Sequence, residues 1–329
     1  MTAITERDIE TNGIVLHTLE AGDRGAPVVV LAHGFPELAY SWRHQIPALA
    51  AAGYHVLAPD QRGYGGSSRP ENTGDNYTMT TLSADLVGLL DDVGAERGFV
   101  VGHGFGAPVV WAAGKLHADR LTGIVGMSVP PEQRGDVAPT AAFRNTFGDN
   151  FFYMLYFQEP GPADADLGAD AATTMRRMFG LQVTDDQPTV LRMLSPGPEG
   201  FVDRLPEPDG LPDWISAAEF DHYAAEFART GFTGALNWYR NLDRDWELTA
   251  GTPQTIGVPS LYVAGTADPV LGYLPHENLR QMFTGDYREV MIEDAGHWLQ
   301  QERPEEINRL LLDFLAGATP EKLELEFRD

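Results

Sequence analysis

A base, an acid that orients it and a turn that presents an attacking group are the parts of nucleophilic catalysis. This sequence carries a motif for each. Residues 98–111 read GFVVGHGFGAPVVW, an apolar strand running through Gly102-His103-Gly104-Phe105-Gly106 into a helix. That is the pattern of a nucleophile elbow, a sharp strand-turn-helix that lifts one reactive side chain into a cleft. The middle position, where Ser, Cys or Asp would attack, is Gly104. Glycine offers no side-chain lone pair, so covalent catalysis at that position is impossible. His297 lies in Gly-His-Trp (296–298), just beyond an expected strand, where a base would hang over the cleft. Asp268 lies in GTADP (265–269) and can orient that histidine, with a plain Asx turn as its structural alternative.

These motifs need a scaffold, and the apolar runs supply one. Segments 27–33, 54–59, 97–102, 121–129 and 258–264 are short and almost continuously apolar, as expected for strands covered by helices on both faces of a parallel sheet. Helical patterns at about 41–52, 78–93 and 105–118 alternate with them, which predicts an α/β fold. The alternation breaks near residue 135. A helical, loop-rich stretch follows to about 250, with a Pro/Gly/Asp-heavy passage at 159–213. A further strand near 287–292 and a closing helix at 304–316 complete the pattern. The expected organisation is a core at 1–137, an inserted helical cap at 138–245 and a resumed core at 246–329, ending in an acidic tail after 319 that reads as solvated helix or coil.

Composition narrows the partners. A formal charge of −25 argues against nucleic acid and anionic membranes, both of which want a basic face. With no cysteine, disulfides, thiolate nucleophiles and Cys-based metal sites are ruled out. No run approaches eighteen apolar residues, and MTAITERDIE lacks the apolar stretch of a secretory signal, so the cytoplasm is the expectation. The glycine-rich stretches lack the dinucleotide fingerprint and no histidines have metal-ligand spacing. Neither a cofactor nor a metal is therefore expected. A homodimer is compatible with the sequence.

Elbow, acid and histidine follow one another in the chain order of α/β-hydrolases. The segment HGFPELAYSWRHQIPALAAAGYHVLAPDQRGYGGSSRP (33–70) resembles the epoxide hydrolase branch of that superfamily almost residue for residue. So do YMLYFQEPG (153–161) and ALNWYRN (235–241) within the insertion. The resemblance covers essentially the whole chain and implies the α/β-hydrolase fold, a mostly parallel sheet flanked by helices with a helical cap. In that family the elbow reads Gly-His-Asp-Trp-Gly, and its Asp forms an ester with the epoxide carbon that a His-activated water then hydrolyses. Here the Asp position is Gly104 and the Trp position is Phe105. The resemblance places the histidine at His297 and its acid at Asp268. It places two tyrosines that bind the epoxide oxygen at Tyr153 and Tyr239, backbone donors at Phe35 and Phe105, and a water-positioning carboxylate at Glu37. Trp42, Met154, Phe157 and Trp298 are candidates for the substrate wall, although wall and core readings compete for the tryptophans. His33 and His103 read as loop-holding residues, and Glu132, after the next strand, is the weakest candidate for a substitute carboxylate.

The expected activity is the opening of an apolar small-molecule epoxide by a nucleophile that is not a protein residue. That nucleophile would be a substrate hydroxyl or carbon, or a second molecule, deprotonated by His297, as in natural-product biosynthesis. One alternative is one-step hydrolysis by a water held between Glu37 and His297. Another is a non-catalytic binding protein or an inactivated nucleophile mutant.

Overall fold

The structure, a computed structural model, describes residues 3–181, 192–272, 274 and 277–318. The acidic tail therefore lies outside the described residues. Eight strands form one sheet in the order β1-β2-β4-β3-β5-β6-β7-β8. These are β1 (Thr5–Thr11), β2 (Ile14–Ala21), β3 (Val28–Ala32), β4 (His55–Pro59), β5 (Gly98–His103), β6 (Leu121–Met127), β7 (Ser260–Gly265) and β8 (Tyr287–Ile292). From β4 to β8 every pairing is parallel. The first two strands are an antiparallel hairpin joined to β4, and the sequence reading had no strand there. Its turn is Asn12-Gly13, both at positive φ, the geometry that an Asn-Gly hairpin turn demands.

Helices α1 (Gln45–Ala51), α2 (Met79–Asp92) and α3 (Gly106–Leu116) connect the parallel strands. Alternate residues of β3 serve opposite faces: Val28, Val30 and Ala32 join one apolar cluster, Val29 and Leu31 the other. That period of two is what a doubly covered sheet requires. Between β6 and β7 no strand occurs among the described residues. Helices α4 (Pro139–Phe147), α5 (Tyr153–Tyr156), α6 (Pro162–Gly168), α7 (Ala171–Phe179), α8 (Phe201–Arg204), α9 (Ala217–Thr230), α10 (Thr233–Arg240) and α11 (Leu242–Leu248) fill that stretch. After β8 come α12 (Leu299–Glu302) and α13 (Pro304–Gly317). The fold is thus an α/β-hydrolase-type parallel sheet with a helical excursion. No described helix is long and apolar enough to cross a membrane.

Strand order reverses between β3 and β5, because β4 lies on one side of β3 and β5 on the other. A crevice opens at the carboxyl ends of two such strands. The loops carrying Phe35 and Gly104 both leave the sheet there.

Candidate active site

The elbow is built as its sequence dictates. β5 ends at His103, Gly104 turns the chain, and Phe105 is the N-cap of α3. A side chain on Gly106 would strike the Ala32 and His33 carbonyls, so only glycine lets α3 start this close to the sheet. Gly104 has φ +53°, the left-handed region that L side chains occupy at a cost. A Cβ built on it would stand 3.4 Å from Nε2 of His297 and 3.5 Å from Cα of Gly34. A side chain at this position would therefore face the histidine directly.

His297 is oriented from behind. Its Nδ1 lies 2.9 and 3.1 Å from the two carboxylate oxygens of Asp268, so Nδ1 carries the proton it donates and Nε2 is left as an acceptor. Asp268 is buried and also accepts from the Val270 N–H at 2.9 Å. Burial works against its charge, but the charge and hydrogen bond of His297 hold its pKa below the ordinary carboxylate value. Burial likewise opposes protonation of His297. Asp268, then Glu37 and Glu302, outweigh that and raise its pKa above the ordinary imidazole value. The imidazole side chain remains 13% exposed, enough to meet a ligand.

The backbone of His297 is gripped as well. Its carbonyl accepts from Nε2 of His103 at 2.6 Å and from Oγ of Ser128 at 2.8 Å. Ser128 is fully buried and sits at φ +68°, a strained conformation of the kind that concentrates at functional sites. His103 places Nδ1 2.6 Å from Oε2 of Glu37. Both ring nitrogens of His103 thus face acceptors.

Glu37 departs from its expected role. It is 0% exposed. Oε2 accepts from the Gly34 N–H and His103, while Oε1 accepts from the amides of Gln300 and Gln301 at 2.8 and 3.0 Å. Four donors occupy the roughly four lone-pair sites of a carboxylate, leaving none for a water. Burial opposes its charge, but His103 brings its pKa down to about 2, so it is ionised and fixes the two loops around the base.

The helical excursion brings aromatic rings to the elbow. Tyr239 on α10 stacks on Phe105 with centroids 4.6 Å apart, and meets Phe35 edge-on at 5.5 Å. Tyr153, at the start of α5, lies 6.1 Å from Tyr239, centroid to centroid. Gln158 ties the two motifs together, its amide donating to the Met154 and Tyr239 carbonyls at 2.8 Å each. Phe157 is buried among Phe35, Tyr153 and Tyr239, and Met154 belongs to the same cluster. The indole N–H of Trp238 donates to the Arg62 carbonyl at 3.0 Å, pinning α10 to the loop that follows β4. Trp298 packs edge-on to His297 at 4.8 Å and to Phe179 of the cap at 5.0 Å.

Two candidates lie elsewhere. Trp42 is fully buried in the cluster that contains Ile46, Leu49 and Leu299, on the α1 face of the sheet. The Glu132 carbonyl accepts from Nζ of Lys115 in the last turn of α3, the opposite end from the elbow. His33 holds its loop as expected, through the Gly34 carbonyl and the Gln61 N–H. The grips of Ser128, Gln300 and Gln301 escaped the sequence reading, because each acts on backbone or buried groups with no motif of its own.

The sequence model of the alpha/beta hydrolase fold matches residues 27–304. Epoxide hydrolase A of Mycobacterium tuberculosis is 64% identical over 319 residues, spanning 96% of this chain and 99% of the relative. The crystal structure of Epoxide Hydrolase A from Mycobacterium thermoresistibile superposes with a TM-score of 0.92 at 61% identity, covering 96% of this chain and 99% of that one. An epoxide hydrolase from an endophytic Streptomyces gives 0.89 at 39% identity, covering 95% and 96%.

Proposed function

The chain belongs to the α/β-hydrolase superfamily, in its epoxide hydrolase-like branch, and we propose that it opens epoxides with a nucleophile the protein does not itself supply. One observation carries the reading. The base is complete and aimed, with Nε2 of His297 3.4 Å from the point where the Gly104 side chain would begin, yet no side chain stands there to attack. A substrate hydroxyl, an acidic carbon or a second molecule placed in that space loses its proton to Nε2 and forms a bond to one epoxide carbon. The carbon–oxygen bond of the ring breaks, and the alkoxide takes a proton from the hydroxyl of Tyr239 or Tyr153. Asp268 stabilises the imidazolium, whose proton then returns to the tyrosinate through solvent. The resemblance assigns the Phe35 and Phe105 N–H groups as the backbone donors of this site. The aromatic lining around Phe157 and Met154 suits an apolar substrate, with natural-product biosynthesis as the context. The filled hydrogen-bonding capacity of Glu37 weighs against a water held there.

Reaction of an epoxide panel in H₂¹⁸O tests the proposal. The expected product is an isomer or adduct without solvent oxygen at the attacked carbon. His297→Ala and Tyr239→Phe should each slow its formation about 10²- to 10³-fold. Stoichiometric ¹⁸O in a diol would replace this reading with one-step hydrolysis. Ligand binding without turnover, undiminished in His297→Ala, would replace it with a binding protein.

A further inference from the structure

Glu302 has no part in the chemistry above, yet its carboxylate holds both neighbours of the base. Oε2 accepts from the Gly296 N–H at 2.7 Å and Oε1 from the Trp298 N–H at 2.8 Å. His297 is the residue between them. The fit is close: a Cβ on Gly296 would stand 2.8 Å from Oε1 and 3.1 Å from Oε2. The carboxylate thus occupies the space that glycine leaves. Among the described residues no cation pairs with it. Its neighbour Arg303 donates to the Asp294 and Glu302 carbonyls instead.

We propose that Glu302 is a positioning residue for the His297 base, fixing the backbone on both sides of it and setting, through its charge, the pH at which the imidazole takes up a proton. The inference rests on His297 being the base.

Two hydrogen bonds to one carboxylate restrict the loop from one side, while His103 and Ser128 hold the His297 carbonyl from the other. Rotation of the peptide planes would withdraw Nε2 from the space beside Gly104. The charged or titratable groups near the imidazole are Asp268 on the β7 loop, Glu37 on the β3 loop, His103 at the elbow and Glu302 on α12. Tyr262 stands behind Asp268, and His33 behind Glu37. Asp268, Glu37 and Glu302 favour the imidazolium, and the His103 ring stands 4.9 Å away by ring centroids. An elbow carboxylate would have added negative charge beside Nε2. Without one, Glu302 becomes a larger part of the field that keeps this base strong.

The test is a pH titration of the His297 imidazole by NMR in histidine-labelled protein, its resonance assigned by its loss in His297→Gln. Exchange rates of the Gly296 and Trp298 amides are measured alongside. Glu302→Gln should move half-protonation down by about 0.5–1 pH unit and speed exchange of both amides several-fold. Glu302→Asp keeps the charge but shortens the reach. It should speed exchange while leaving the titration closer to that of the parent protein. A Glu302→Gln protein whose imidazole titrates at the parent pH overturns the proposal. If that variant does not fold, parent-like amide exchange in Glu302→Asp overturns it instead. Neither readout needs turnover, so a chain that opens no epoxide would defeat the functional proposal and leave this one standing on its own measurement.

Discussion

Gly104 combines a left-handed backbone with an open position beside Nε2 of His297. An L residue there bears strain of roughly 1–3 kcal/mol, with Asp among the residues that tolerate it best. At 3.4 Å from Nε2 a Cβ makes ordinary van der Waals contact, so the first carbon of a side chain is accommodated beside His297. Gly104→Asp is therefore expected to fold and to regain ordinary epoxide hydrolysis through an ester on the new side chain. In a His297→Gln background, where the ester is not hydrolysed, mass spectrometry should find the protein heavier by the mass of the epoxide. Aryl and alkyl epoxides that give neither ester nor diol would mean that the cleft around Tyr153 and Tyr239 is shaped for a different electrophile.

Elements meet at points where single side chains carry a disproportionate load. Asp245 on α11 accepts the Met79 N–H at the first turn of α2 at 2.7 Å, but its other oxygen is buried and has no partner among the described residues. Burial pushes its pKa up to about 7, and nearby Asp75 adds to the shift. A carboxyl whose folded-state pKa is raised costs nothing below its unfolded value near 4 and destabilises progressively as pH climbs toward and through 7. Asp245→Asn keeps an acceptor for Met79 and cannot ionise. It should stabilise the protein by about 2 kcal/mol more at pH 8 than at pH 5, read from denaturant unfolding at the two pH values. An equal gain at both would show that Asp245 is ionised throughout. The same scale explains what the sequence disclosed. The buried parallel strands announce themselves as unbroken apolar runs, and α2, α3 and α13 as long periodic helices. β1 reads TERDIET with only Ile9 buried, so its apolar signal is almost absent; the Asn12-Gly13 turn was the clue available. The pairing of His297 with Asp268 and the glycine at the elbow turn were legible because motifs mark them. The filled bonds of Glu37, the descent of Trp42 into the α1 face and the grip of Glu302 depend on which distant groups each side chain meets, and no local pattern records that.

At the scale of the whole molecule the chain carries 48 acidic residues against 23 Lys and Arg, a formal charge of −25 with a sequence pI near 4.6. Such an excess repels itself in the compact state. Buried pairs such as Arg62 with Asp85, 2.7 Å apart, are ones that bulk ions barely reach. Salt screens exposed repulsion within a Debye length of about 10 Å at 0.1 M, and screens buried pairs much less. Adding sodium chloride from 0.05 to 0.5 M at pH 8 should therefore raise the Tm, since the screened interactions are mostly unfavourable. The same addition at pH 4.6, where the charges balance, should change it little. Acid brings a separate loss. Glu20, Glu37 and Glu219 have pKa values of about 2 in the folded chain. Burial opposes the charge of each, but Arg24 and His55 hold down Glu20, His103 holds down Glu37, and Ser216 and Arg43 hold down Glu219. A carboxylate with a depressed folded pKa stabilises fully above its unfolded value, near 4.5, and loses that contribution as pH falls toward 2. Salt cannot restore protonated partners, so the salt-dependent gain at pH 8 and the acid loss below pH 4.5 should be independent. A Tm that falls with salt at pH 8 would mean that exposed ion pairs such as Arg244 with Asp75 outweigh the net repulsion, and that the acidic excess is spread too thinly to matter.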